Sequence, residues 1–186
     1  MTGVMNSHKL FLLAIGILCT VPSAVSAQIV MTEVQYDPQG SDTGHEWIEL
    51  YNTATSSIDV TKLRLSEGGG NHKIKVVQGN ALLPPQTFAV IADNARLFRS
   101  DYPQYTGELF DSSFSLGNSG DSFALKDETY TVLETVTYTS SLGAAGDGNS
   151  LQRSPVDADV FVARAPSPGA AASTYAVAPP IKDIKQ

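Results

Sequence analysis

The chain has 186 residues and almost no cysteine: a single one, Cys19, inside an apolar stretch near the start. A disulfide framework is therefore excluded, and stability must come from burying apolar surface, which the roughly 140 residues after that stretch can do as one core. Basic residues are also scarce, 12 Lys and Arg against 19 Asp and Glu for a net charge of −7, and none are clustered. Phosphate contacts draw on clustered Lys and Arg, so nucleic acid is excluded as a partner, and the acidic surface is read as one that keeps the chain soluble. No heptad array and no repeat of fixed period occurs, which excludes a rod, a solenoid and a propeller. No apolar run is long enough to cross roughly 30 Å of hydrocarbon comfortably, so no stable membrane span is expected after processing.

The one apolar run present carries a different meaning. Lys9 precedes the uncharged segment from Leu10 to Val21, Pro22 follows, and Ala24-Val25-Ser26-Ala27 supplies small residues where a signal peptidase needs them. Residues 1–27 are expected to be a signal peptide, with a mature chain beginning at Gln28 in the periplasm or outside the cell. Cys19 leaves with the leader, since Leu18 stands where lipoprotein processing would want a small residue.

The mature part reads as strands and turns. Ile29 to Tyr36 is a β-branched opening strand stopped by the turn Asp37-Pro38-Gln39-Gly40. In Glu46 to Asn52 (EWIELYN), alternation places Ile48 and Leu50 on one face and Trp47, Glu49 and Tyr51 on the other. Further strands are predicted at Ile58 to Val60, Leu63 to Leu65, His72 to Val77, Phe88 to Ile91, Ser122 to Lys126 and Leu133 to Thr139. Asn118-Ser119-Gly120-Asp121 reads as a tight turn in which Gly120 supplies a positive φ and Asp121 bonds the backbone. The single helical candidate, Ala95 to Ser100 behind Asn94 as a cap, is too short to organise the fold. Short strands between turn signals predict one antiparallel β-sandwich over 28–169. Residues 170–186, rich in Ala and Pro, are read as a flexible tail, with Tyr175, Val177 and Ile181 as a minority docking segment.

Candidate chemistry is sparse. His45-Glu46-Trp47-Ile48-Glu49 has a superficial likeness to a zinc-protease helix, but Glu49 stands where a second His is required and the segment reads as strand, on which Glu46 and Glu49 project to opposite faces. Gly117-Asn118-Ser119-Gly120 lacks the pattern of a nucleophile elbow, and no His follows it. Nothing singles out two of the many carboxylates as a glycosidase pair. Glu46 and Glu49 are expected to help specify the fold, accepting backbone N–H groups or pairing with Arg64 or Arg153, and Trp47 is expected in the core. Asp37, Asp42 and Glu46 bracket a Gly-containing loop and form a weak calcium candidate without regular ligand spacing; no other cofactor is expected.

Taken together, Ile29 to Pro38, Glu46 to Asn52, Ile58-Asp59, Leu83-Pro84, Asn118 to Asp121, the segment with Val136 and Tyr138, Ser150-Leu151-Gln152-Arg153 and Pro166 to Gly169 resemble the lamin-tail domain family in order and spacing. The resemblance implies an immunoglobulin-like antiparallel β-sandwich. The structural positions it carries are Glu46, Trp47, Ile48, Glu49, Leu50, Asn52, Asn118, Gly120, Asp121, Leu151 and Arg153, the last two in a late segment that contacts the core. It also implies a non-catalytic adhesion or anchoring module of the bacterial exported type, engaging an envelope or extracellular protein or a surface polymer. The alternative is a secreted hydrolase with an unrecognised acidic site.

Overall fold

The computed structural model describes residues 28–156 and 158–171. The leader and the tail from residue 172, with Tyr175, Val177 and Ile181, lie outside the described residues. The chain forms β1 (Ile29–Gln35), β2 (Trp47–Asn52), β3 (Ile58–Asp59), β4 (Arg64–Ser66), β5 (His72–Lys73), β6 (Lys75–Gln78), β7 (Leu82–Leu83), β8 (Phe88–Ala92), α1 (Ala95–Asp101), β9 (Glu108–Asp111), β10 (Gly120–Lys126), β11 (Val132–Thr139), β12 (Ser150–Gln152) and β13 (Val162–Arg164). Seven strands make a large sheet in the order β13-β12-β1-β2-β8-β9-β6, four make a smaller one in the order β11-β10-β4-β5, and β3 pairs with β7.

The two sheets form a sandwich because their facing positions are apolar at every second residue. Val34, Ile48, Leu50, Ile91, Phe110 and Leu151 from the large sheet meet Leu65, Phe123, Leu125, Val136 and Tyr138 from the small one in a single buried cluster. Two aromatics set the depth at one end. The Tyr36 and Tyr138 rings lie 4.4 Å apart, and their hydroxyls donate to the Gly143 carbonyl at 2.5 Å and the Gly117 carbonyl at 2.9 Å. Arg153, just past β12, pairs with Glu134 of β11 at 2.7 Å, and Glu134 also accepts the Met31 amide at 2.5 Å, beside the bulge between Met31 and Glu33.

Several expectations are corrected here. The segment from His72 to Val77 is not one strand: it breaks at buried Ile74, where the chain leaves the small sheet at β5 and joins the large one at β6. The strands β7, β9 and β13 were not predicted, and β12 was foreseen only as a late segment of the family pattern. The sandwich is not wholly antiparallel, since β8 and β9 run parallel. A parallel neighbour requires a crossover, and α1 provides it, so the short helix does organise part of the fold. Asn94 caps it, its side-chain oxygen accepting from the Arg96 and Leu97 amides at 3.1 and 3.2 Å.

Candidate functional site

The central strands β1, β2 and β8 of the seven-stranded sheet are buried on both faces, so their outer face must be covered by something other than the small sheet. Over β2, β8 and β9 the cover is aromatic. Trp47, Val90, Ala92 and Leu109 pack beneath Ala95 and Phe98 of α1, with Tyr102 and Tyr105 against them. The Trp47 ring meets Phe98 and Tyr102 edge-on at 5.8 and 5.6 Å. Burial pushes the Tyr102 hydroxyl up to about 12 and the Tyr105 hydroxyl higher still.

Over β1, β2 and β12 the cover is polar. Glu33 and Glu49, each 1% exposed, lie beneath the segment 165–170. The Ser167 amide and hydroxyl donate to Glu33 at 3.0 and 3.1 Å, and the Gly169 amide donates to Glu49 at 2.6 Å. From below, Ser150 and Gln152 donate to Glu33 at 2.5 and 3.0 Å, and Thr32 donates to Glu49 at 2.7 Å. Gln152 also donates to the Ala165 carbonyl at 2.7 Å. Burial pushes Glu49 up to about 8, the Thr32 bond opposing and the neighbouring Glu33 charge adding to the shift; Glu33 is raised by burial against its four hydrogen bonds. Among the described residues neither Arg64 nor Arg153 answers these acids. Arg153 is taken by Glu134, and Arg64 donates to the Leu63 and Thr61 carbonyls at 2.6 and 3.1 Å, so the expected pairing of Arg64 or Arg153 with Glu46 or Glu49 does not occur.

At the end of the sandwich, Glu46 accepts the Leu116 amide through both oxygens, at 3.1 and 3.0 Å. Burial pushes it up to about 8, with the Leu116 bond opposing and the charges of Asp93, Asp42 and Glu67 adding. Asp37 and Asp42 come together at the Asn118 side-chain amide, at 3.3 and 2.9 Å. The Asn118 bond holds Asp42 below the usual carboxylate range, while burial, Asp42 and Asp147 raise Asp37. Among the described residues no three His, Cys, Asp or Glu side chains converge as a set able to hold a metal ion. Gly120 has φ +145°, and Asp121 accepts from the Ser122 and Gly117 amides at 2.7 and 3.1 Å. Asn52 ties three loop atoms together: it donates to the Ser56 and Leu83 carbonyls at 2.9 Å each and accepts the Ala54 amide at 2.9 Å.

Two open clefts flank the aromatic cover. One, of about 340 Å³, is lined in part by Gln35, Gln39, Ser41, His45, Asp101 and Tyr102. His45 Nδ1 lies 2.6 Å from Asp101 Oδ2, yet among the described residues no serine hydroxyl bonds His45. The other, of about 640 Å³, lies on the far side of Tyr102.

Residues 22–140, well over half of the chain, match the Lamin Tail Domain. The chain belongs to the lamin tail domain family. Its fold is thus an immunoglobulin-like β-sandwich of a family that is generally non-enzymatic. The match runs through β11 and ends before β12 and β13, so the segment that covers Glu33 and Glu49 follows the matched stretch. No curated protein matches the chain, and no solved structure does. Among the described residues of this lamin-tail domain no helix is long and apolar enough to cross a membrane.

The family motif residues do not meet in one place. Glu46, Asn118 and Asp121 sit at one end of the sandwich, Trp47 and Glu49 lie on the outer face of the large sheet, and Ile48, Leu50 and Leu151 lie in the inner core. Sequence reasoning missed Glu33 as the cross-strand neighbour of Glu49, and Ser150, Gln152 and Ser167 as the hydrogen-bond partners of Glu33. One signal for Glu33 was present: a carboxylate inside a seven-residue strand that is otherwise largely apolar.

Proposed function

We propose that this lamin-tail domain acts after export, in the periplasm or outside the cell, as a non-catalytic adhesion or anchoring module for an envelope or extracellular protein or a surface polymer. One observation carries the non-catalytic part. Four of the acids an acidic site could draw on accept backbone amides: Glu46 from Leu116, Glu49 from Gly169, Asp121 from Gly117 and Ser122, and Asp147 from Asn149. A catalytic acid or base needs a face open to substrate, and the buried Glu46 and Glu49 are spent on holding loops, while Asp121 and Asp147 serve turns apart from them. The leader-like first 27 residues support export.

Affinity capture from envelope fractions with the purified protein tests the reading, with a saturable, reproducible partner as the expected result. Turnover of ester, phosphodiester or glycoside substrates that disappears in a Glu46→Gln variant would instead establish the hydrolase alternative. The module needs no cofactor in this reading. Calorimetric titration with millimolar calcium tests Asp37 and Asp42 as ligands, and heat lost on Asp42→Asn would bring calcium back.

A further inference from the structure

We propose that the exposed edge strand β6 and the cleft beside it form the docking site of the module, and that the occupant is an extended peptide of a partner protein in which acidic and apolar residues alternate. This rests on the binding-module reading and names the surface and the partner chemistry. Three independent observations converge on the same few residues.

First, β6 is the last strand of the large sheet, paired on one side with β9 and with no strand on the other among the described residues. An open edge is a template for one more strand, and proteins commonly protect such edges. Here Val76 and Val77 stand 39% and 44% exposed on it. The edge is also held in place, because Gln78 donates to the Gly107 carbonyl at 2.9 Å and so fixes the strand to the loop before β9.

Second, Val77 and Gln78 line the 640 Å³ cleft together with Arg96, Arg99, Tyr102 and Tyr105. Arg96 and Arg99 are three apart on α1, so they share one face of the helix, and both are exposed with no ion pair among the described residues. In a chain of net charge −7, two guanidinium groups left without a carboxylate are complementary to an acidic partner. The nearby Glu108 carboxylate does not neutralise them through an ion pair; it accepts the Asn80 amide.

Third, the floor is rigid. Tyr102 and Tyr105 both pack on Phe98, with ring centroids 4.9 and 5.2 Å apart, and the Tyr105 hydroxyl donates to the Glu108 carbonyl at 2.9 Å. A preformed floor loses little freedom on binding. Strand addition supplies affinity through the backbone, and period-two alternation turns every second side chain to one face, so carboxylates that meet Arg96 and Arg99 leave apolar side chains between them. The chain's own residues 172–186 do not fit: they carry Lys182 and Lys185 against Asp183.

The test is fluorescence anisotropy of the protein purified after export, titrated with a labelled peptide alternating Glu and Val. A Lys–Val peptide and polygalacturonate serve as comparisons, and hydrogen exchange is followed at residues 75–78. The expected result is binding of the Glu–Val peptide alone, weakened by salt, about tenfold or more weaker for the double variant R96A/R99A, with slower exchange along β6. Equal binding by the double variant, unchanged exchange along β6, or binding of polygalacturonate without the peptide would each overturn the proposal. Failure here is separable from failure of the module reading. A partner captured equally by wild type and R96A/R99A sinks this surface and leaves the module standing.

Discussion

Trp47 and Glu49 stand two residues apart on β2, face the same side of the large sheet and are buried equally, 1% exposed each, by unlike means. Trp47 is covered by rings from α1 and the loop after it. Glu49 is covered by a turn-forming segment held through Ser167 and Gly169, with Gln152 bonding the carbonyl of Ala165. Apolar cover is non-directional and scales with area, whereas polar cover depends on every donor finding its acceptor. The aromatic half should therefore respond to volume, and the carboxylate half to protonation and to loss of the covering segment.

The largest effect should come from removing that segment together with its support. Ending the chain before Leu151 deletes a fully buried core residue, Gln152 as the β12 partner of Glu33, the segment 165–170 and the Arg153–Glu134 pair. The truncated chain is expected to show no cooperative thermal unfolding. A retained transition would show that the polar half is dispensable and dissolve the contrast.

Next comes the aromatic half. Trp47→Ala is expected to cost about 3 to 5 kcal/mol in chemical denaturation, a large share of the roughly 5 to 15 kcal/mol of a typical domain. A loss under about 1 kcal/mol would mean the rings above it reclose without strain.

The carboxylate half should reveal itself through pH. Glu46 and Glu49 have folded-state values near 8 against an ordinary 4.5, so the folded state binds their protons more tightly than the unfolded state does. Their contribution is fully present below 4.5 and is lost as pH rises through about 8. The thermal midpoint is expected to fall across this window. Glu49→Gln, which keeps a neutral side chain of the same shape, should change little below about pH 4.5 and raise the midpoint relative to wild type progressively as pH rises towards about 8. Parallel curves for the two proteins would show that Glu49 is ionised in the folded state.

The smallest effect belongs to the tail. Ending the chain after Ala171 keeps every bond from Ser167 and Gly169 and should leave the midpoint within about 1 °C, since an Ala- and Pro-rich tail buries little apolar area. A drop of several degrees would mean that residues 172–186 complete the cover.

The strand read most fully was one whose side chains alternate between turns, Glu46 to Asn52, and the short β3 and β4 were read as apolar steps before the glycine break at 68–70. Other short strands could not be read: β9 and β13 are too short to show a period, and β12 was legible only through the family pattern. The same limit hid the break at Ile74, because a β-branched run reads as one strand whichever sheet each half joins. Glu49 was legible as an acid on a strand face. Its partner Glu33 and its cover are 16 and about 120 residues away, and local patterning carries no information about pairs so distant.

By itself the sequence determined the class of fold, because period-two alternation between Gly, Pro and Asn turns leaves the backbone few ways to bury its apolar face other than a sandwich. It also determined that no internal disulfide holds that sandwich, because the chain has a single cysteine. Only the tertiary structure decided that the central strands of the large sheet are buried on both faces, that α1 crosses between parallel strands, and that Glu33 and Glu49 share one desolvated site. Those outcomes follow from which distant segments meet. That is set by the sum of many weak contacts across the whole chain, and no single stretch of residues contains it.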